Sequence, residues 1–518
     1  MIIRLLILFF IAAGCRSFAD NLNNDDANFG ECTIAVISRY ASADGRPILW
    51  KNRDVSNHDQ RFIYFDSYID NGRATIPFTG NVYRNDTTRV FMGANLAGFA
   101  IINSDSYNLG DSLATGIDDG SMMRLALQFC TYLYDFEELL DSTNMIGRLN
   151  CWNFGVMDRN GDVALYECAN RSYVKFTADY SDGSGQGVIV RANFSLSGDD
   201  LNPAGNDRFQ RATALFEDRL DSGPIDVQFV LSQVMRDLYN IYDNPYPLPY
   251  FGTQAYGPPG YIFDYGCTVA NRSTSSAAVI RGVRQNENPN LTTIFAVLGS
   301  PHLSLAFPLW PFAAYVPIYL SSPGGPPIAQ FIDARKELLY DNPQTIFHLN
   351  SKYLCDDNRQ GVYSYTIPLE NWAIAQADSL MQNWQLYPPD DFAVRFEQFR
   401  IARAAFTGFQ FESAQFLNEI TDDYINLPSN AEIIGYPNPF NSKITIEYRN
   451  LPSISPPRIR IFDVLGRSVR ILIGTTSGIG AVEWDGKNEK GNELSSGIYY
   501  FVLHDDSYKI AKKMTLLK

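Results

Sequence analysis

Cys32-Thr33-Ile34-Ala35-Val36, then Asp44-Gly45, then Leu49-Trp50-Lys51-Asn52-Arg53-Asp54, is the stretch on which the reading of this chain turns. An apolar run opening on a cysteine, an Asp-Gly turn and a second apolar run closing on Asn-x-Asp predict an antiparallel hairpin. The end of the second strand returns a carboxylate, Asp54, to the cysteine. Residues 20–31, ahead of Cys32, are rich in Asn and Asp and read as a pro-segment. Its removal would leave Cys32 with a free α-amine beside its thiol. Only four histidines occur, His58, His302, His348 and His504, and they are scattered. An α-amine, with an ordinary pKa of about 8 against about 8.5 for a thiol, is a matched proton acceptor that needs none of them. A Cys–His pair would need one of the four to converge on Cys32 from a distance.

Residues 1–19 carry Arg4, the apolar run Leu5-Leu6-Ile7-Leu8-Phe9-Phe10-Ile11 and then small residues, which reads as a secretory signal peptide. Two cuts fit. Ser17-Phe18-Ala19 has small residues where a signal peptidase reads, and Ala12-Ala13-Gly14-Cys15 resembles a lipoprotein box that would make Cys15 a lipid anchor. No later run is long and apolar enough to cross a membrane, so export to a bacterial envelope or beyond is expected.

With 518 residues the chain exceeds one ordinary core, and two or more domains are expected. Its 45% hydrophobic, 14% aromatic and 19% charged content describes a folded protein. The net charge of -15 is uneven: residues 431–518 hold 12 Lys/Arg against 9 Asp/Glu, so residues 1–430 carry -18. The acidic part has no basic stripe, which argues against nucleic acid as a partner. Cys151 and Cys168 flank an Asp158-Arg159-Asn160-Gly161 turn and are read either as a disulfide or as two buried thiols. No CxxC pair occurs, so no zinc site or other metal is implied.

From 32 to 375 short strand-like runs alternate with a few helical ones. Residues 89–95 and 98–103 read as one hairpin, and 152–157 and 163–167 as another around Asn160-Gly161. Helices are expected over 121–140, 208–220 and 227–239. The aromatic, Pro/Gly-rich stretches 244–265 and 307–317 read equally as pocket lining or as packing. Residues 376–430 are helical in pattern and read as an extension and linker. From 431 onward about seven short strands with regular turns predict a small all-β sandwich.

The last segment resembles a known module. Tyr436-Pro437-Asn438-Pro439-Phe440-Asn441, Phe462-Asp463-Val464-Leu465-Gly466-Arg467, Ser495-Ser496-Gly497-Ile498-Tyr499-Tyr500-Phe501 and the basic end Lys512-Lys513 to Lys518 are similar to the C-terminal sorting domain of the type IX secretion system and to FlgD-type immunoglobulin-like domains. That resemblance implies a passage across an outer membrane, with the secretion machinery as a partner of residues 431–518.

The Cys-Thr opening, the Asp-Gly turn and the Lys-Asn-Arg-Asp strand end resemble Ntn hydrolases of the isopenicillin N acyltransferase, choloylglycine hydrolase and linear amide hydrolase type. Further motifs follow in the family's order: Gly93-Ala94-Asn95 to Asn103, Val188-Ile189-Val190-Arg191-Ala192-Asn193-Phe194, and Asn206-Asp207-Arg208-Phe209. The resemblance implies an α+β fold, a four-layer αββα domain ahead of the β-sandwich. It implies Cys32 as nucleophile and, through its amine, general base, with Asp54 bonded to that amine. Asn193 and Asn103 would be oxyanion donors, and Arg208 a cation near the thiol. Lys51 stands where bile salt hydrolases carry arginine, which keeps the charge but loses the fork.

The expected activity is cleavage or transfer at a linear, non-peptide C–N amide of a small acyl substrate, through a thioester and without cofactor. A dipeptidase of the related branch is the alternative enzyme, and a non-catalytic surface protein retaining the fold is the alternative outside enzymes. No oligomeric state is implied.

Overall fold

The computed structural model describes residues 31–70, 72–110, 115–179, 187–199, 204–239, 260–264, 266–340, 348–355, 361–424, 432–449, 457–463, 468–474, 479–505 and 508–518. The leader, Cys15, the pro-segment up to residue 30 and most of 244–265 lie outside them. Two compact units are formed, Met1–Phe406 and Thr407–Lys518.

In the first unit β1 (Glu31–Ile37) and β2 (Ile48–Asp54) pair antiparallel, with Glu31↔Asp54, Cys32↔Arg53, Ile34↔Lys51 and Ile37↔Ile48 in register. The hairpin expected from the sequence is present, and Gly45 in its turn takes the left-handed backbone, φ +70°, that glycine tolerates best. Strand alternation then sorts the motif. Cys32, Ile34, Lys51 and Arg53 share one face; Thr33, Ala35, Trp50, Asn52 and Asp54 share the other.

These two strands sit in a six-stranded antiparallel sheet, flanked on one side by β12 (Val188–Arg191) and on the other by β14 (Thr274–Arg281), β15 (Thr293–Leu298) and β16 (Phe307–Leu309). A seven-stranded sheet runs β11 (Tyr173–Thr177), β10 (Val163–Cys168), β9 (Trp152–Met157), β8 (Ala100–Asp105), β7 (Met92–Asn95), β6 (Phe78–Tyr83) and β3 (Gln60–Phe65). β1 and β2 pack against β8 and β9. Two-residue strands β4 (Ile69–Asp70) and β5 (Arg73–Ala74), and the pair β13 (Tyr261–Phe263) and β17 (His348–Asn350), form separate small ribbons.

Each large sheet has its own apolar core. Phe78, Val82, Phe99, Ile101 and Phe154 pack on Met122, Met123, Leu127 and Phe136 of helices α1 (Asp119–Phe129) and α2 (Leu133–Ile146). The single helix expected over 121–140 is therefore two. Asp135 accepts from the backbone nitrogens of Thr131 and Tyr132 at 2.8 and 2.9 Å, which starts a new helix where the first has ended. On the other sheet Ala35, Trp50, Val279 and Phe295 pack on Phe216 of α3 (Asn206–Ser222), with Ala377, Met381 and Trp384 of α5 (Tyr363–Leu386) in the same core. Between them in sequence lies α4 (Pro327–Leu339), and α6 (Asp391–Tyr424) follows. Trp310 is buried edge-on against Trp384, so 307–317 is packing rather than pocket.

The helix expected over 227–239 stops at Val234, after a π turn. The next carbonyl, that of Met235, accepts instead from Nδ2 of Asn52 at 2.9 Å. Arg236 then turns inward and donates through both terminal nitrogens to Glu370 at 2.8 Å each. All six described cysteines are free thiols. Cys168 pairs in register with Trp152, which leaves Cys151 beyond the strand end, where its sulfur meets Oδ1 of Asn170 at 3.6 Å.

The second unit contains the seven strands expected of it. β18 (Glu432–Tyr436), β19 (Ile444–Arg449) and β22 (Gly480–Trp484) form one sheet. β21 (Ser468–Ile473), β20 (Arg458–Asp463), β23 (Gly497–Asp505) and β24 (Tyr508–Leu516) form the other. Ile433, Ile446 and Trp484 from the first share one core with Ile459, Phe501 and Met514 from the second. Among the described residues no helix is long and apolar enough to cross a membrane.

Candidate active site

Cys32 is buried at the start of β1, and two different environments meet it. Its backbone faces a polar network. The backbone nitrogen donates to Oδ1 of Asn193 at 3.0 Å, and the same oxygen accepts from Nη2 of Arg208 at 2.8 Å. Nη1 of Arg208 donates to the Cys32 carbonyl at 2.9 Å and to Oγ1 of Thr33 at 2.8 Å. Nε donates to the carbonyl of Gly266 at 3.1 Å.

Local sequence makes that arginine available. Gly205 precedes α3 in the left-handed conformation, φ +74°, and a Cβ there would come within 2.5 Å of Nη2 of Arg208. Only a glycine lets Arg208, in the first turn of α3, fold back over the helix start to reach β1. The guanidinium is fully buried.

Asp54 completes this side. It is buried, with one oxygen accepting from Thr274 at 2.5 Å and the other from Asn271 at 3.1 Å, and it stands 3.7 Å from Nη1 of Arg208. Burial pushes its carboxyl up to about 6; Arg208 and the two hydrogen bonds pull it down, and Glu31 pushes it further up. Glu31 lies across the pair from Asp54 and within 3.5 Å of Nη2 of Arg208.

The thiol faces the opposite way, between the sheets. Burial raises its pKa; the cations Lys51 and Arg53 oppose the shift, and Asp54 and Asp105 add to it. Lys51 is itself buried, and burial pulls its ammonium down. Nζ donates to the carbonyl of Phe91 at 3.0 Å and to Oδ1 of Asn103 at 2.5 Å. The pairing of β7 with β8 ends at Met92↔Ile102, and Lys51 bonds the Phe91 carbonyl and the Asn103 side chain just beyond that end.

The structure brings Cys32, Asn193, Arg208 and Asp54 into one network, with Lys51 and Asn103 on the thiol side. Three details differ from the expected roles. Arg208 lies on the backbone of Cys32 rather than beside its sulfur, because α3 approaches the face of β1 that carries Thr33. Asn103 donates through Nδ2 to Asp119 at 2.9 Å, so as placed it fixes Lys51, and an oxyanion role would require its amide to leave Asp119. The side-chain bonds of Asp54 run to Thr274, Asn271 and Arg208. Asn193 directs Oδ1 at the Cys32 nitrogen, while its Nδ2 is 3.5 Å from the carbonyl of Asp105.

Sequence reasoning missed Asn271 and Thr274, which lie more than two hundred positions beyond Asp54 and carry no motif, and it gave Thr33 of the Cys-Thr opening no role of its own. It also passed over Arg53, although alternation places that residue on the cysteine's face. His302 is buried on Tyr363 at 2.8 Å and held near 3 by burial, so it is no base for Cys32. Among the described residues no cluster of His, Cys, Asp or Glu is arranged to hold a metal ion.

Residues 435–516 match the family described as "Secretion system C-terminal sorting domain". The match marks the chain for export by the type IX secretion system to the cell surface or beyond. The chain is also similar to PorZ, a surface component of that system from Porphyromonas gingivalis, at 23% identity over 17% of this chain, with a TM-score of 0.14. The chain spans 11% of PorZ. Penicillin V acylase from Agrobacterium tumefaciens is similar over 54% of this chain and 86% of its own, at 16% identity and a TM-score of 0.32. Conjugated bile acid hydrolase from Clostridium perfringens is similar over 52% and 92%, at 12% identity and a TM-score of 0.31. No curated protein matches the chain.

Proposed function

We propose that this chain matures to an exported N-terminal-cysteine hydrolase or acyltransferase, with a four-layer αββα catalytic domain ahead of an immunoglobulin-like sorting sandwich. Its substrate would be a linear, non-peptide C–N amide. One observation carries the reading: buried Asn193 and Arg208 bond the backbone nitrogen and carbonyl of Cys32, while the buried charges on the sulfur's side, Lys51 and Arg53, are cations. A site built around a side-chain base would aim that base at the thiol. This one holds the nitrogen that becomes an amine once the bond to Glu31 is cut.

Maturation would use the same parts. The thiol adds to the Glu31 carbonyl, the Cys32 nitrogen leaves with a proton, and water then hydrolyses the thioester. The extension departs as a carboxylate, leaving both thiol and amine on Cys32. In turnover the α-amine takes the thiol proton and the sulfur attacks the substrate carbonyl. Donors near the sulfur stabilise the oxyanion, with Nδ2 of Asn193 the first candidate; such a donor contributes about 3 kcal/mol. The leaving nitrogen collects the proton from the α-ammonium, and water or a second amine accepts the acyl group. Arg208 and Asp54 would hold the amine's surroundings rigid, and Lys51 and Arg53 would favour the thiolate.

Mass spectrometry of the secreted protein, beside a Cys32→Ala form, tests this. The native chain is expected to begin at Cys32, and the variant to keep residues ahead of position 32 and to lose amide turnover. An active chain that retains its extension, or an alanine form that turns over amides normally, overturns the reading in favour of a surface protein or a different catalyst.

A further inference from the structure

Arg53 is directly opposite Cys32 in the β1–β2 pair and on the same face, yet neither maturation nor the amine network uses its hydrogen bonds. It is 4% exposed. Its guanidinium lies 3.8 Å from the ring centre of Phe91 and 4.9 Å from that of Tyr83, and Nη2 donates to the Tyr83 hydroxyl at 3.0 Å. Two rings and one hydroxyl fix its plane. Nη1 is buried and has no hydrogen-bond partner among the described residues.

A second observation falls on the same corner. Asn81 stands two positions before Tyr83 on β6, hence on the same strand face, and its backbone carbonyl accepts from the nitrogen of Phe91 at 3.0 Å. Its side chain is fully buried, and both Nδ2 and Oδ1 are without partners among the described residues. Buried polar atoms in folded proteins are nearly always bonded, and a guanidinium cannot shed its charge to escape. Two other buried arginines, Arg208 and Arg236, each use all three nitrogens, whereas Arg281, on the other side of β2, leaves Nε and Nη2 without partners among the described residues.

We infer that Arg53 and Asn81 form an anion subsite that receives a carboxylate carried close to the scissile amide. Nη1 donates to one carboxylate oxygen, and Nδ2 of Asn81 offers a further donor. N-acyl α-amino acids meet this requirement, because their carboxylate sits on the carbon bonded to the scissile nitrogen. The inference rests on the N-terminal-nucleophile reading and narrows its substrate class.

The test uses two alkylating probes of the mature protein, iodoacetate and iodoacetamide, which differ in charge but attack by the same step. In each the Cys32 sulfur displaces iodide, the S–C bond forms as the C–I bond breaks, and the thiol proton passes to the α-amine. Modification of Cys32 is followed by mass spectrometry, with cysteine amide as reference. For the native protein the ratio of iodoacetate to iodoacetamide rates is expected to exceed that of cysteine amide by about tenfold, the scale of one charge-assisted contact. Arg53→Met should bring the ratio to within about twofold of the reference, and Arg53→Lys, which keeps charge without the fork, should restore part of it. A native ratio equal to that of cysteine amide overturns the subsite without needing any variant to fold, as does an Arg53→Met ratio unchanged from native. Reaction with both probes at the reference ratio sinks the subsite alone. Failure of Cys32 to react with either sinks the nucleophile reading and the subsite with it.

Discussion

The two units treat charge in opposite ways. In the first, Lys51, Arg53, Asp54, Arg208, Arg236 and Glu370 are all buried. In the second, among the described residues of the sandwich from 432 on, the buried side chains are apolar or aromatic, and ion pairs such as Lys443 with Glu483 lie at the surface, 61% and 57% exposed. A sandwich needs only its apolar core to hold shape. A catalytic layer must keep ionised groups where water does not reach them, so each needs its own hydrogen-bonded partners. On the proposed function, the contrast separates a part that carries chemistry from a part that marks the chain for export.

Breaking that contrast at its strongest point means removing Arg208. Arg208→Met leaves Asp54 buried without its cation and withdraws the donors to the Cys32 carbonyl and to Oδ1 of Asn193. A loss of about 3–5 kcal/mol is expected in denaturant unfolding of the first unit. A loss under about 1 kcal/mol would place this pair with the surface ones.

Asp54 sharpens the comparison through pH. With its carboxyl at about 6, acidification should titrate it and release Arg208, giving kcat/KM an acid limb near that pH. Cleavage removes Glu31, one of the groups that raise Asp54, so the mature limb should lie at or somewhat below that value. The sign for stability is the reverse. The folded carboxyl binds its proton more tightly than the unfolded chain, ordinary value 3.8, so between those two values Asp54 taken alone favours the fold as pH falls. A fall in activity across that window with no fall in melting temperature is the expected signature. Asp54→Asn should abolish the limb along with most of the activity, and a limb that persists would assign it to another group.

The smallest effect belongs to the second unit. Lys443→Met removes an exposed pair with Glu483, and unfolding of that unit should change by no more than about 1 kcal/mol. A larger loss would mean that surface charge stabilises the sandwich after all.

Much of this was readable from residue order. The cysteine opening a strand, the Asp-Gly turn and the strand ending on Asp54 gave the hairpin, and the Tyr-Pro-Asn-Pro-Phe-Asn opening marked the sorting domain. Patterns of period two and the φ freedom of Gly45 are local properties that need no neighbour. The helix expected over 121–140 failed because a side chain, Asp135, captures backbone nitrogens and starts a second helix, a competition periodicity does not register.

What the sequence alone determined is the identity and facing of Cys32, Lys51, Arg53 and Asp54, since neighbours on paired strands are fixed by register. Only the tertiary structure decided that Arg208 serves the backbone and not the sulfur, that Asn103 is occupied by Lys51 and Asp119, and that Thr274 and Asn271 hold Asp54. The physical reason is distance along the chain. Apart from Asn103 with Asp119, those contacts join residues from about fifty to more than two hundred positions apart, and their geometry follows from how sheets and helices pack rather than from any spacing in the sequence.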